Sequence, residues 1–214
     1  MSYDVDFRFD NQEKILIAGV LFSNKNFKQT EGFYTLKIPV INPSQYLLAF
    51  ENYPSSLLTR LQTKAGKSSL SNVGVQSIIF KEDKGVLLVC EEVQEFQRSS
   101  VSGFCPLGGQ GGNGAGPIRK NYNYGDLFLI ATNSAGDFEW ENILNRKTFY
   151  NQKNQNYASH FIAETSEELR LVYNDMFSSD NIISEYVIQK DGAVNRNTLY
   201  NLMAEILTMQ YYGG

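Results

Sequence analysis

The sequence predicts an all-β protein made of antiparallel hairpins, with one or two short helices. Three observations favour this fold class. Strand-like apolar runs are separated by short turns that contain Gly, Asn, Asp or Ser. Aromatic residues make up 13% of the chain, and their rings pack well across a pleated sheet. Segments with helical spacing are too few for alternating βαβ units. We therefore expect a β-propeller, complete or partial, or a β-sandwich.

Composition limits the class of protein. A chain of 214 residues is long enough to bury most of its unfolded surface without a disulfide or a metal. Hydrophobic residues at 42% and charged residues at 20% are typical of a globular protein and exclude a largely disordered one. We expect a single β-rich domain over residues 1–214. A net charge of -4 argues against a nucleic-acid partner held by bulk electrostatics.

The chain shows no targeting or membrane-spanning segment. Residues 1–14 contain neither a basic stretch nor an apolar core of the kind found in signal peptides. No apolar run approaches the ~20 residues that cross a bilayer. Two localisations stay open: a cytoplasmic protein, or a piece of a longer exported one.

The first third of the chain predicts four strands and a helix. Residues 5–9 alternate apolar and charged side chains, as a half-buried strand does. Residues 14–22 are almost uniformly apolar, which favours a central strand. Residues 32–38 alternate again, and residues 46–50 form a short strand between prolines. Residues 55–66 begin with serine, carry leucines at helical spacing and end with glycine, which predicts a short helix.

The remainder predicts further hairpins. Gly136 can adopt a positive φ in the turn that precedes the only tryptophan, Trp140. A glycine-rich loop at 103–117 lies in a segment, 97–120, that we expect to be mobile. Leucine, methionine and isoleucine at helical spacing predict a helix over residues 198–210. The predicted hairpins are strands 75–80 and 86–96, strand 127–132 with the strand that carries Trp140, strands 158–163 and 169–173, and strand 183–189 with a partner after turn 190–192.

Four motifs carry a resemblance to a known family. They are Tyr124-Gly125-Asp126, Gly136 with Trp140 four residues later, Tyr157-Ala158-Ser159 and Tyr173-Asn174-Asp175. This layout resembles a β-propeller-like family of uncharacterised proteins from Bacteroidetes-type bacteria. The resemblance implies a fold and no activity, because the family has none established. The chain is shorter than the full proteins of that family, which implies a truncated member and a partial propeller.

Trp140 is the first of three candidate ligand-binding residues. The spacing of Gly136 and Trp140 is similar to that in quinoprotein-type propellers, where the ring packs against the next blade. A buried tryptophan removes ~150–250 Å² from water, so we expect mainly a packing role. The alternative is a ligand platform, since aromatic faces bind sugars. Tyr124 and Tyr157, from the same motif series, are the other two candidates.

The sequence contains no strong catalytic or cofactor-binding motif. His160 is the only histidine and lies within a predicted strand, where we expect a structural role rather than catalysis. Gly109, Gly111 and Gly114 match G-x-G-x-x-G, but no helix follows to receive a phosphate. We therefore predict no catalytic residue and no cofactor.

Cysteines and carboxylates give no metal site. We expect Cys90 to be a buried free thiol, although pairing with Cys105 stays open. Asp175 and Asp180 lack the regular spacing of a calcium loop. We predict no metal.

Two functions from different classes stay open. The first is a non-catalytic binding or scaffold module whose loops are presented to a protein or glycan partner. The second is a glycan-acting hydrolase that uses a carboxylate pair. An acidic pair in a concave pocket beside Tyr or Trp would favour the hydrolase, and a shallow polar surface would favour the module. A third interpretation is a fragment of a longer exported propeller without separate activity.

Overall fold

The computed structural model describes residues 2–23, 29–61, 70–99, 118–146, 148–151, 160–165, 167–177 and 180–201. These residues form three antiparallel sheets and one α-helix, which confirms the all-β prediction. In each sheet four strands that follow one another in the sequence are also neighbours in space. The chain therefore builds one up-and-down sheet, then the next.

Sheet 1 contains the first four strands in the order β1-β2-β3-β4. The uniformly apolar β2 pairs with a strand on each side, which confirms the prediction of a central strand. A short 3₁₀ turn, Pro43–Gln45, leads into the last strand. The strands of sheet 1 are β1 (Ser2–Asp10), β2 (Ile15–Ser23), β3 (Thr30–Pro39) and β4 (Leu47–Asn52).

Sheet 2 follows the single helix, α1 (Ser55–Leu61). Its order is β5-β6-β7-β8, and the short β9 pairs with the early part of β7. Gly136 has φ +93° in the turn between β7 and β8, a conformation that favours glycine. The strands of sheet 2 are β5 (Val73–Phe80), β6 (Val86–Ser99), β7 (Ile118–Thr132), β8 (Phe138–Leu144) and β9 (Thr148–Asn151).

Sheet 3 has the order β10-β11-β12-β13. A register shift between Ile183 and Ser184 interrupts the pairing of its last two strands. The strands of sheet 3 are β10 (His160–Glu164), β11 (Glu168–Phe177), β12 (Asp180–Gln189) and β13 (Val194–Asn201).

Sheet 2 is the middle layer of the molecule. Successive residues of a strand point to opposite faces, and both faces of β6 are apolar. Leu88 and Cys90 pack against sheet 1 and α1, whereas Leu87 and Val89 pack against sheet 3. Cys90 is buried and free, as predicted; Cys105 lies outside the described residues. The two cores thus share sheet 2, because its central strands β6 and β7 carry apolar side chains on both faces.

Strand β1 is oriented opposite to the prediction for a half-buried strand: its apolar residues face outward and its charged residues Asp4 and Arg8 face inward. Its apolar residues Val5 and Phe7 are 52% and 70% exposed, while its charged residues Asp4 and Arg8 face sheet 2. Arg8 Nη1 donates to the carbonyl oxygen of Ile78 at 2.8 Å, and Asp4 Oδ2 accepts from the backbone N–H of Val75 at 2.7 Å. The charged side chains face inward because the edge of β5 offers backbone groups that need partners.

A buried lysine also ties sheet 1 to sheet 2. Lys37 is 8% exposed, and its Nζ donates to the carbonyl oxygens of Lys84 and Ser134 at 2.7 and 2.8 Å. Burial lowers the pKa of Lys37, although nearby Asp83 opposes that shift. The lysine holds the two turns of sheet 2, β5–β6 and β7–β8, against the same strand of sheet 1.

Three predictions of local structure need correction or lie outside the described residues. Residues 97–99 belong to β6 and residues 118–120 to β7, and not to a mobile segment, because the two stretches pair with each other. Residues 198–201 belong to β13 and not to a helix, because pairing with β12 outweighs helical spacing; residues 202–210 are not described. The loop 103–117 also lies outside the described residues. The prediction missed β9, a short strand held by β7.

Candidate functional site

A cleft with a volume of about 670 Å³ opens between sheets 2 and 3. Three hairpin turns meet at its mouth: β5–β6, β10–β11 and β12–β13. The turns come together because the apolar layers beneath them, which include Leu87 on sheet 2 and Leu169 on sheet 3, are packed in one core. Residue positions distant in the sequence therefore line one concavity.

The floor of the cleft is apolar and includes Trp140. This residue follows the β7–β8 turn, is half-buried, and packs on the core between sheets 2 and 3. Ile79, Leu87, Leu169 and Ile188 complete the floor. Because Trp140 both contacts the core and lines the cleft, packing and ligand contact are compatible roles for the same ring.

The β12–β13 turn lies directly against Trp140. Gly192 has φ +86°, and a Cβ placed on it would lie 2.7 Å from the indole ring. Its carbonyl oxygen accepts from Asn142 Nδ2 at 2.9 Å. Glycine is needed here for two reasons, the positive φ and the close approach of the ring. These contacts fix the position of the turn relative to the cleft floor.

The rim of the cleft is acidic. Among the described residues that line it, carboxylates outnumber ammonium groups by seven to two. Such an excess in a concave site creates a negative potential that attracts cations. The carboxylates are Glu82, Asp83, Glu139, Glu164, Glu167, Glu168 and Asp191, and the ammonium groups are Lys81 and Lys190.

Both lysines are held by carboxylates of the rim. Lys81 forms ion pairs with Asp83 at 3.0 Å and with Glu139. Burial would raise the pKa of Asp83, but hydrogen bonds from Gly85 N–H and from Lys81 hold it below its ordinary value, so Asp83 stays ionised. Lys190 Nζ lies 2.8 Å from Glu82 Oε2, and this pair bridges the turns of the two sheets.

Two further rim carboxylates pair with arginines from outside the cleft. Glu164 Oε1 lies 3.0 Å from Arg8 Nη1 of sheet 1. Glu168 Oε1 accepts from Arg170 Nε at 2.6 Å. Five of the seven carboxylates are thus already held by cations, which orders the rim and leaves the cleft acidic as a whole.

The structure brings together only part of the predicted site. Trp140 lines the cleft. Tyr124 lies in β7, where its backbone pairs with Val93 and Thr148, and Tyr157 lies outside the described residues. The sequence prediction missed the acidic turns, including Glu167 and Asp191. The sequence does show that these carboxylates lie in hairpin turns. It contains no local pattern that indicates which turns meet in the folded protein.

A buried polar cluster lies farther along the same interface, beyond Val89 and Leu171. Arg146 is 1% exposed, and its Nη1 lies 3.5 Å from Glu91 Oε1 and 3.3 Å from His160 Nδ1. Burial raises the pKa of Glu91 to about 7, although the Arg146 charge opposes the shift. Burial and the Arg146 charge lower the pKa of His160 to about 4.

His160 lies against the buried guanidinium of this cluster. A neutral imidazole can accept a hydrogen bond at Nδ1, so the guanidinium donates to it. The guanidinium also lies 5.9 Å from the centre of the Tyr173 ring, which stacks on Tyr186 at 5.4 Å. The cluster thus joins polar groups of sheets 2 and 3 through one buried arginine.

The described part of the chain has neither a cluster of metal ligands nor a membrane-spanning helix. Within it, no group of three or more His, Cys, Asp and Glu side chains could hold a metal ion. Asp175, a calcium candidate in the sequence, instead accepts from Ser184 Oγ at 3.1 Å and pairs with Arg196. None of the described helices is long and apolar enough to span a bilayer.

Comparison with known proteins supplies no relative from which a role could be transferred. Neither the family models, nor the curated proteins, nor the solved structures contain a match to this chain.

Proposed function

We propose that this protein is a non-catalytic binding module whose cleft between sheets 2 and 3 accepts a positively charged segment of a protein partner. The observation that carries this proposal is the combination of an acidic rim with a tryptophan on the floor. A lysine or arginine side chain that enters the cleft meets carboxylates at the rim. Its charged head or apolar stem can also lie against the indole.

The rim can exchange one of its own cations for that of a ligand. Lys190 and Glu82 are 54% and 70% exposed in their side chains, and exposed ion pairs contribute only about 0–1 kcal/mol. A ligand ammonium that takes the place of Lys190 therefore meets little resistance. The volume of about 670 Å³ lies within the ~300–1,000 Å³ of typical ligand sites, so a short peptide segment fits better than a whole domain.

Intrinsic fluorescence provides a direct test, because Trp140 is the only tryptophan. The protein is titrated with an oligolysine peptide, a glutamate peptide of the same length and a panel of neutral oligosaccharides. We expect a saturable change of emission with oligolysine alone. The affinity should fall with added salt, because screening weakens charge attraction at the rim.

A double variant that removes two negative charges from the rim locates the site. Glu167→Gln combined with Asp191→Asn should weaken oligolysine binding several-fold, since both carboxylates line the cleft. Asp10→Asn combined with Glu13→Gln is the matched control. It removes the same two charges from the β1–β2 turn of sheet 1, where Asp10 accepts backbone N–H groups as Asp191 does. Equal weakening by both changes would assign the binding to net charge and refute the cleft as the site. Binding of an oligosaccharide instead would move the proposal to a glycan partner.

The second candidate is a glycan-acting hydrolase. It is favoured by the position of Glu139 and Glu164 in a concave cleft that also contains Trp140. Against it, Glu139 is paired with Lys81 and Glu164 with Arg8, whereas hydrolysis needs one carboxyl that can give a proton and one free to act as base or nucleophile. A panel of chromogenic glycosides tests it; turnover that Glu139→Gln or Glu164→Gln abolishes would replace the binding module.

The arrangement of the sheets also supports a blade interpretation. We infer that the three sheets are consecutive blades of a partial propeller, in line with the predicted family. Arg8 of the first strand of sheet 1 contacts Ile78 in the first strand of sheet 2 and Glu164 in the first strand of sheet 3. First strands that converge in this way suit the inner end of propeller blades. An experimental structure in which they diverge would contradict the inference.

A further inference from the structure

Sheet 1 has an apolar face that points away from sheet 2. The strand register aligns Phe7, Ala18, Leu36 and Leu48 in one row across the sheet, and alternation places every second residue of each strand beside them. Phe7, Phe50 and Val5 are 70%, 60% and 52% exposed. The described side chains of this face, called the outer face of sheet 1, are Val5, Phe7, Phe9, Leu16, Ala18, Phe22, Tyr34, Leu36, Ile38, Leu48, Phe50 and Asn52.

None of these described side chains is charged. Two charged residues of β1, Asp4 and Arg8, face sheet 2, as their contacts with Val75 and Ile78 show. A strand that only had to cover one core would keep its charges in solvent. The outer face of sheet 1 therefore has the composition of a covered face.

The opposite end of the molecule differs. On the outer face of sheet 3, Arg170 Nη1 lies 3.3 Å from Glu185 Oε2, and Asn197 Nδ2 donates to Glu185 Oε1 at 3.0 Å. This face is built around an ionic network, although it also exposes Phe161. Covering it with an apolar surface would desolvate that network without new partners.

We propose that the outer face of sheet 1 is the interface of a symmetric homodimer, in which it packs on the same face of a second copy. Self-pairing buries apolar side chains against apolar side chains and leaves no charge of this face unpaired. Pairing with the outer face of sheet 3 of another copy would bury the Arg170–Glu185 network. A two-fold interface uses the same patch on both partners, and two twisted sheets pack face to face readily.

The size of the face suits such a dimer. Four strands about 4.8 Å apart and about 30 Å long cover on the order of 500–600 Å² in projection. Pairing two copies removes roughly twice that area from water, which reaches the lower end of specific interfaces at about 1,200 Å² in total. The exposed aromatic rings Phe7 and Phe50 provide anchors of the type that dominates interface energetics; the Phe50 ring is supported by Tyr34 at 4.9 Å.

Sedimentation over protein concentrations from about 1 to 100 µM tests the proposal with the full chain. We expect a dimer that Phe7→Glu weakens at least about 100-fold, because each dimer would bury two new carboxylates at its interface. Phe50→Glu, on the other edge of the sheet, should act in the same way and carries the test if Phe7→Glu does not fold. Far-UV circular dichroism and thermal melts check the fold of each variant.

Phe161→Glu is the matched control. Phe161 is 66% exposed and lies on the first strand of its sheet, as Phe7 does. The two substitutions therefore place the same charge on comparable exposed strand positions. It should leave the dimer intact. A wild-type protein that stays monomeric throughout the range would overturn the proposal. Equal dissociation by Phe7→Glu and Phe161→Glu would also overturn it and would indicate head-to-tail packing of sheet 1 on sheet 3.

Discussion

Replacement of Glu91 by glutamine should change the pH dependence of stability in a direction that its burial dictates. Glu91 is 3% exposed, lies beside Arg146 and has its pKa raised to about 7 from an ordinary value of 4.5. Below pH 4.5 the folded and unfolded states both hold the proton. Between these two pKa values only the folded state holds it. The contribution of Glu91 to the free energy of unfolding therefore falls as pH rises through this window.

The magnitude follows from the size of the shift. One pKa unit corresponds to about 1.4 kcal/mol, so a shift from 4.5 to about 7 corresponds to about 3 kcal/mol. Glutamine keeps the shape of the side chain and cannot titrate. The stability of Glu91→Gln relative to wild type should rise by about 3 kcal/mol between the two ends of that window.

Urea unfolding of both proteins at a series of pH values measures this difference. Comparison at each pH removes the contribution of the other titrating groups, which the two proteins share. A relative stability of Glu91→Gln that falls as pH rises would refute the reasoning. That result would mean that Arg146 dominates over burial, so that Glu91 is ionised and its pKa depressed in the folded protein.

Two other predictions concern the same interface. Burial and Arg146 lower the pKa of His160 to about 4 from 6.5, so its contribution to stability is present above pH 6.5 and is lost as pH falls towards 4; His160→Gln should remove up to about 3 kcal/mol of that acid sensitivity, measured by urea unfolding. Gly192→Ala should cost about 2 kcal/mol from its positive φ and the clash with Trp140. In a Trp140→Ala background the clash is absent, so the cost should fall to about 1 kcal/mol; thermal melts that show equal costs would exclude the ring contact.

The sequence predicted the strands well where the signal is local. Hairpins form around turns such as the one that contains Gly136, because φ is set by the turn itself. The central place of β2 in sheet 1 followed from its uniform apolar character. The helix predicted from residue 198 onward was wrong for residues 198–201. These residues pair with β12 as part of β13, and such a non-local interaction is not encoded in local propensity.

The candidate site was predictable only in part. Trp140 was identified because one tryptophan after a turn is conspicuous in any sequence. The rim was not, because Glu167 and Asp191 belong to separate hairpin turns that meet only when sheets 2 and 3 pack. Arg146, which organises the buried cluster, follows β8 in a stretch without any motif. The distances that give these residues a role arise from packing and not from spacing.

Strand β1 shows what alternation can and cannot reveal. A period of two establishes that the two faces of a strand differ, but it does not say which face is covered or whether both are. Asp4 and Arg8 face the edge of β5, whose backbone groups they satisfy, and this forces Val5 and Phe7 outward. Backbone hydrogen bonds with β5 thus account for the inward charges of Asp4 and Arg8. They do not account for the apolar character of the outward side chains. A surface that only met water would have no physical reason to keep them apolar, so the composition of the outer face of sheet 1 calls for a second covering layer.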